Sequence, residues 1–92
     1  MKIFKFYKKN CPPCYAFNRI LNHIEIPENI EIINLDVEIE EYKNMAKSHG
    51  IKIVPSLLSE NGNILNESKT EENILLFLKR ESQYEISNWT TI

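Results

Sequence analysis

Two cysteines are the residues in this sequence whose type and spacing point most clearly to chemistry. Cys11 and Cys14 are the only cysteines of the 92-residue chain, and Pro12 and Pro13 separate them. Thiol–disulfide exchange needs a thiolate nucleophile and a second thiol close enough to resolve the mixed disulfide. A Cys-x-x-Cys pair at the start of a helix meets both needs. We therefore expect Cys11 to attack and Cys14 to resolve.

The two prolines predict how the pair is placed and tuned. Pro12 suits the first position of a helix, where a backbone N–H would have no partner. Cys11 would then be the exposed N-cap, where the helix dipole favours its thiolate, and Cys14 would lie one turn further in. Pro12 and Pro13 each remove an N–H donor, so within the motif the Cys14 N–H is left to meet the Cys11 sulfur. We expect a Cys11 pKa of about 6–8 and a reducing dithiol.

Three of the four lysines that precede the pair are candidates for tuning it. Lys8 and Lys9 either support the thiolate through their charge or form a solvated chain end. Lys5 lies in a predicted strand, where a lysine usually extends its ammonium to water. The alternative is a partly buried Lys5 that favours thiolates.

Zinc binding and a purely structural disulfide are the alternative interpretations of the cysteine pair. Zinc requires four ligands, and the remaining candidates, His23 and His49, fall outside zinc-finger spacing. A structural bridge over so short a loop removes little chain entropy. Redox chemistry is therefore favoured, with no metal ligands and no cofactor beyond the Cys11–Cys14 disulfide.

The composition narrows the class of protein. Hydrophobic residues make up 42% of the chain and charged residues 26%, which is typical of a soluble globular domain. The net charge of −2 argues against a broad surface for nucleic acid or an anionic membrane. No run approaches the ~18 apolar residues of a membrane span, and no signal-like segment is visible. We expect a single-domain cytoplasmic protein.

Hydrophobic periodicity predicts the element order β-α-β-α-β-β-α. The predicted strands are residues 3–7, 30–35, 51–58 and 63–66, and Asn61-Gly62 is a strong hairpin signal. The predicted helices begin at Pro12, span residues 42–49, and begin after Thr70. The first strand–helix–strand unit implies a parallel pair with a right-handed crossover. Together these elements predict a three-layer α/β/α domain with a four-stranded mixed sheet over residues 1–80, followed by a loose polar tail over 81–92.

These features together resemble the thioredoxin/glutaredoxin superfamily, and specifically a small redoxin of bacterial or phage type. The resemblance rests on the strand before Cys11-Pro12-Pro13-Cys14, the element order, Val54-Pro55 and the Asn61-Gly62 hairpin. It covers Met1 to about Arg80. The resemblance implies a cis Pro55 beside the cysteine pair and a Val54 backbone that binds an extended substrate.

The motif combines features of both branches of the superfamily. Proline after the first cysteine is similar to glutaredoxins, and proline before the second is similar to thioredoxins. Lys8 matches a lysine that meets the glutathione carboxylate in many glutaredoxins. Asn10 replaces the tryptophan of thioredoxins, and Lys5 stands where they have a buried aspartate. Residues 66–70 lack the glycine pair that holds glutathione.

The resemblance implies a monomeric protein-disulfide reductase, recharged by a thioredoxin-reductase-type flavoenzyme. Its targets would be protein disulfides, with ribonucleotide reductase as one example. Two alternatives stay open: a glutathione-linked glutaredoxin, and a thioredoxin-fold module whose cysteines bind a metal or cluster.

Overall fold

The computed structural model describes residues 1–87, which form an α/β fold with three helices around a mixed sheet. The elements are β1 (Lys2–Tyr7), α1 (Pro12–His23), β2 (Glu31–Asp36), α2 (Glu40–Ser48), β3 (Ser56–Ser59) and α3 (Glu71–Ser87). The strand order is β2-β1-β3, with β1 parallel to β2 and antiparallel to β3. The predicted fold class is confirmed. No helix within residues 1–87 is both long and apolar enough to cross a membrane.

The alternation of side chains along β1 divides the core into two layers. Ile3 points to one face of the sheet and Phe6 to the other, and both are completely buried. On the Ile3 face the buried residues come mainly from α1 and α3: Phe17, Leu21, Ile30, Leu57, Leu65, Ile74, Phe77 and Leu78. On the Phe6 face they are Leu35, Ala46, Ile51 and Leu58, so α2 covers that side. The central strand is thus covered by helices on both faces.

The third strand is shorter than the sequence predicts. Regular pairing begins only at Ser56, because Pro55 has no N–H to give to a ladder. The segment before it is held in other ways: the Ile51 N–H donates to the Ala46 carbonyl oxygen at 2.9 Å, and the Ser56 hydroxyl donates to that of Ile53 at 2.7 Å. Residues 51–55 therefore form a loop after α2 that these two hydrogen bonds hold in place.

The predicted fourth strand, residues 63–66, is wrong as a full strand. The returning chain makes one isolated antiparallel bridge, between Leu58 and Ile64. The hairpin itself is present: the Gly62 N–H donates to the Ser59 carbonyl oxygen at 2.9 Å, and Gly62 has a φ of +86°. Only Ile64 and Leu65 are apolar before the polar run 66–70, so little apolar surface supports further pairing. The sheet in residues 1–87 therefore has three strands.

The last helix continues well into the predicted polar tail. Glu81 and Ser82 are buried, and each bonds to a separate loop. The Asn63 amide donates to both carboxylate oxygens of Glu81, at 3.0 and 3.2 Å. The Ser82 hydroxyl donates to Asn29 Oδ1, and the Asn29 amide donates to the Ser82 carbonyl oxygen at 3.1 Å. The expectation of a loose tail is therefore corrected for residues 81–87, while the rest of that tail lies outside the described residues.

Candidate redox site

The cysteine pair lies where β1 turns into α1. Cys11 is the N-cap, with extended backbone angles, and Pro12 and Pro13 occupy the first two helical positions. The Cys11 carbonyl oxygen accepts from the N–H of Cys14 at 2.9 Å and of Tyr15 at 3.1 Å, which closes the first turn. Asn10 reverses the chain just before it, with a φ of 54°, a conformation that asparagine adopts more readily than most residues.

Cys11 and Cys14 form a disulfide. Their Cα atoms are 5.2 Å apart, within the usual range for disulfides. The Cys14 N–H donates to Cys11 Sγ at 3.2 Å, so the donor expected from the two prolines is confirmed. The same contact would meet a Cys11 thiolate when the pair is reduced.

Exposure alone does not distinguish the two cysteines. Cys11 is 4% exposed and Cys14 is 2% exposed, so the expected exposure of Cys11 is wrong for the disulfide form. The bridge holds both sulfur atoms against the first turn of α1. The two cysteines differ in their surroundings, because Cys11 lines an open groove and Cys14 does not.

The groove beside Cys11 has a volume of about 870 Å³. Four parts of the chain form it: the start of α1, the loop after β2, one face of α2, and the loop before β3. Its lining residues are Lys8, Asn10, Cys11, Pro12, Pro13, Val37, Glu38, Lys43, Ala46, Lys47, Ile51, Lys52, Ile53 and Val54. One cysteine of the disulfide thus lies in the lining of a groove that also has apolar residues and several lysines.

Val54 lines the same groove, and Pro55 follows it in the chain without lining the groove. The Val54–Pro55 peptide bond is cis, the isomer expected from the sequence. Val54 is half-buried and lines the groove, whereas Pro55 is buried. Among residues 1–87, neither the N–H nor the carbonyl oxygen of Val54 takes part in a backbone hydrogen bond. That backbone therefore has hydrogen-bonding capacity for an extended chain in the groove.

Lys5 and Lys8, the two lysines expected to tune the thiolate, differ in their surroundings. Lys8 is exposed and lines the groove with Cys11. Lys5 is only 8% exposed, and its ammonium donates a hydrogen bond to Asn18 Oδ1. The same ammonium lies 6.0 Å from the centre of the Tyr7 ring. Burial lowers the pKa of Lys5 below its ordinary value. The expectation that Lys5 extends to water is wrong.

Sequence reasoning missed two residues of this region. Asn18 follows Cys14 by four positions, a spacing that places both on one face of α1 and could have indicated it. Glu38 holds the loop before the motif, since its carboxylate accepts the Lys9 N–H at 3.1 Å. No local pattern marks Glu38, because its partner lies far away in the sequence.

The remaining candidates lie away from the cysteine pair. His23 and His49 are exposed, at the end of α1 and just after α2. The described part of the chain holds no group of three or more histidine, cysteine, aspartate or glutamate side chains arranged for a metal ion. A second cavity, of about 480 Å³, lies between the hairpin and α3. Its lining includes Asn66 and Glu67, and neither cysteine reaches it.

Comparison with known proteins gives structural likeness but no sequence match. No family model matches the chain, and no curated protein matches it. Among solved structures, the chain is similar to the J-Trx1 fragment of ERdj5, with a TM-score of 0.66 and 16% identity; the match covers 87% of this chain and 40% of that one. The chain thus spans less than half the length of that structure.

Two other solved structures give the same result over larger shares of their length. A thioredoxin variant from Halobacterium salinarum NRC-1 has a TM-score of 0.63 and 19% identity, covering 86% of this chain and 72% of that one. The first thioredoxin domain of mouse protein disulfide-isomerase A4 has a TM-score of 0.62 and 20% identity, covering 99% and 67%. With its helices on both faces of a mixed sheet and a Cys-x-x-Cys disulfide at the start of α1, the chain has the thioredoxin fold.

Proposed function

We propose that this chain is a thiol–disulfide oxidoreductase that reduces disulfides in other proteins. The observation that carries the proposal is the placement of the Cys11–Cys14 disulfide at a helix start, with Cys11 open to a groove. Within this assignment Cys11 is the nucleophile and Cys14 the resolving thiol. Pro12, Pro13 and Lys8 tune the pKa of the Cys11 thiol. Lys5 does so from its position between the sheet and α1.

The reaction begins with the reduced pair. The Cys11 thiolate attacks one sulfur of the target disulfide, and the other target sulfur leaves as a thiolate that takes up a proton. The Cys14 thiolate then attacks Cys11 Sγ, which breaks the mixed disulfide and releases the second target thiol. Two electrons have passed to the target, and the Cys11–Cys14 disulfide remains. The Cys14 N–H, which donates to Cys11 Sγ in the disulfide, would stabilise the Cys11 thiolate before the first attack.

Substrate binding uses the loop before β3. The free hydrogen-bonding groups of Val54 would pair with an extended segment of the target, as an added strand does at a sheet edge. The buried Pro55 holds that loop in place beside the groove. The target cysteine would then lie over Cys11.

Electrons must be resupplied after each turnover. A thioredoxin-reductase-type flavoenzyme would reduce the Cys11–Cys14 disulfide, and the chain itself would need no bound cofactor. We propose a monomer that acts in the cytoplasm on protein disulfides, with ribonucleotide reductase as one candidate target.

Insulin reduction tests this function. The wild type should reduce insulin with NADPH and thioredoxin reductase, whereas Cys11→Ser and Cys14→Ser should lose turnover. Cys14→Ser should also accumulate a mixed disulfide through Cys11, visible by mass spectrometry. A wild type that reduces no protein disulfide under any reductant, or a Cys11→Ser variant with full activity, would exclude the proposal.

A glutathione-linked activity is the alternative that Lys8 supports, since it lies beside Cys11. Asn66 and Glu67 argue against it, because the segment that should hold glutathione lines the other cavity. We expect low activity in the glutathione-dependent hydroxyethyl-disulfide assay and high activity with thioredoxin reductase. The reverse ranking would assign the chain to the glutaredoxins.

A further inference from the structure

The groove beside Cys11 differs in charge from the rest of the protein. The whole chain has a net charge of −2. The groove lining nevertheless contains four lysines and a single acidic residue, Glu38. All four lysines are exposed. Positive charge is therefore concentrated around the groove that Cys11 lines.

The four lysines come from separate parts of the chain and surround the groove. Lys8 precedes the motif, Lys43 and Lys47 lie on α2, and Lys52 lies in the loop before β3. Lys43 and Lys47 are four residues apart, so they share one face of the helix. Because they face the same concave space, their potentials add there.

The acidic residue of the lining offsets one of the four positive charges and leaves three in excess. One carboxylate oxygen of Glu38 accepts the Lys9 N–H at 3.1 Å, so that side chain is held against the loop before the motif. The Glu38 N–H in turn donates to Asp36 Oδ1 at 2.9 Å, which fixes the backbone at this point. Glu38 therefore serves to position the loop.

The apolar part of the groove lining is partly exposed to solvent. Ile53 is 67% exposed, and Pro12 and Pro13 are exposed beside Cys11. An apolar surface with a charged rim is suited to a polypeptide segment rather than to a free anion, because burial of apolar side chains contributes as well as charge.

From this arrangement we propose that the groove selects acidic polypeptide segments: the disulfides this protein reduces lie next to aspartate and glutamate residues. The target backbone pairs with Val54, apolar side chains contact Pro13 and Ile53, and target carboxylates meet Lys43, Lys47 and Lys52. The inference rests on the proposed function, since it names the substrate class of the same site. Exchange itself proceeds as described above, with two electrons passing from the Cys11–Cys14 dithiol to the target disulfide.

Three disulfide peptides of equal length test the proposal. They share a central cystine and flanking leucines and differ only in four further residues, which are glutamate, glutamine or lysine. The pre-reduced protein is mixed with each peptide at low and at high ionic strength, and the rate of the single turnover is measured. We expect the acidic peptide to react about tenfold faster than the neutral one at low salt and the basic peptide to react more slowly. High salt should largely remove these differences, because exposed charges are then screened.

Two double variants separate the effect of the groove lysines from the effect of the protein's net charge. In K43Q/K47Q the ratio of acidic to neutral rates should fall towards one. In K2Q/K79Q, which also removes two exposed lysines but none from the groove, the ratio should stay as in the wild type. Equal rates for all peptides in the wild type, or the same loss of preference in both variants, would overturn the inference.

Two further substrates show whether a negative result contradicts the proposed function or only the preference for acidic polypeptides. Hydroxyethyl disulfide carries no charge, so its reduction by the wild type reports the proposed function by itself. If it is reduced while peptides show no charge preference, only the inference fails; if nothing is reduced, the proposed function fails. Oxidised glutathione carries carboxylates but is small. Reduction of glutathione as fast as the acidic peptide, with the same loss in K43Q/K47Q, would overturn the assignment to polypeptides.

Discussion

The Lys5 ammonium donates a hydrogen bond to Asn18 Oδ1, one helical turn beyond Cys14. The contact links the middle of β1 to the face of α1 that carries Cys14. Lys5 points to the same side of the sheet as Ile3, because side chains alternate along a strand. The resulting position places a positive charge in the layer between the sheet and α1, where the charge is costly and its pKa is lowered.

The buried lysine predicts how stability changes with pH. Because the pKa of Lys5 is lower in the folded state than its ordinary 10.5, the unfolded chain holds this proton more tightly. The free energy of unfolding should therefore rise with pH between the lowered pKa and about 10.5, and below that window the full cost of burying the charge remains. In Lys5→Met this contribution is absent, so the variant should gain less stability from pH 7 to 10.5 than the wild type in urea denaturation. Lys79→Met, at an exposed lysine, is the control, and parallel curves for wild type and Lys5→Met would contradict the prediction.

The groove predicts which thiol reacts first in the reduced protein. Cys11 lines the groove and its sulfur accepts the Cys14 N–H, whereas Cys14 does not line the groove. Iodoacetamide should therefore label Cys11 at least about tenfold faster than Cys14 near neutral pH, since the more accessible and more ionised thiol reacts first. Peptide mapping by mass spectrometry measures the two rates. Faster labelling of Cys14 would reverse the proposed roles.

Pro13 predicts a change in the acidity of Cys11. The second helical position can supply an N–H to the N-cap side chain, and proline removes that donor. Pro13→Ala should restore it, and a hydrogen bond to an anion contributes about 1.5–3 kcal/mol. The Cys11 pKa should fall by about one unit, since one unit corresponds to about 1.4 kcal/mol. The pH profile of thiolate absorbance at 240 nm measures this shift.

The same substitution should change the redox potential. A more stable thiolate favours the reduced pair, so Pro13→Ala should be less reducing than the wild type, which we expect at roughly −270 to −220 mV. Pro27→Ala, outside the motif, should leave both properties unchanged. A wild-type potential near −120 mV, as in strong oxidants, would identify a disulfide donor instead.

The end of α3 predicts a stability difference between two shortened chains. A chain ending at residue 80 loses Glu81 and Ser82, so Asn63 and Asn29 lose their hydrogen bonds to these two residues. A chain ending at residue 87 keeps both. Since a hydrogen bond of a residue that is not fully buried contributes about 0.5–1.5 kcal/mol, the shorter chain should be the less stable by at least that amount. Equal urea midpoints for the two chains would show that residues 81–87 contribute nothing to the fold.

The sequence by itself determined those features that depend on neighbouring residues. Cys11 at an N-cap followed by two prolines specifies both the helix start and the one amide that reaches the sulfur, because backbone geometry over four residues settles them. Apolar periodicity predicted the order of the three helices and the first three strands for the same reason. Gly62 after Asn61 specified the hairpin, since a positive φ suits glycine.

The tertiary structure alone decided which distant side chains meet. Lys5 looked like a surface residue until α1 covered its side of the sheet, and Glu81 looked like part of a tail until Asn63 was brought to it. The fourth strand shrank to one bridge because its length depends on the neighbours it can pair with. The basic groove unites lysines that lie up to 44 positions apart, from Lys8 to Lys52. Local patterns carry no information on such contacts, because their free energy depends on the burial and charge that other segments supply.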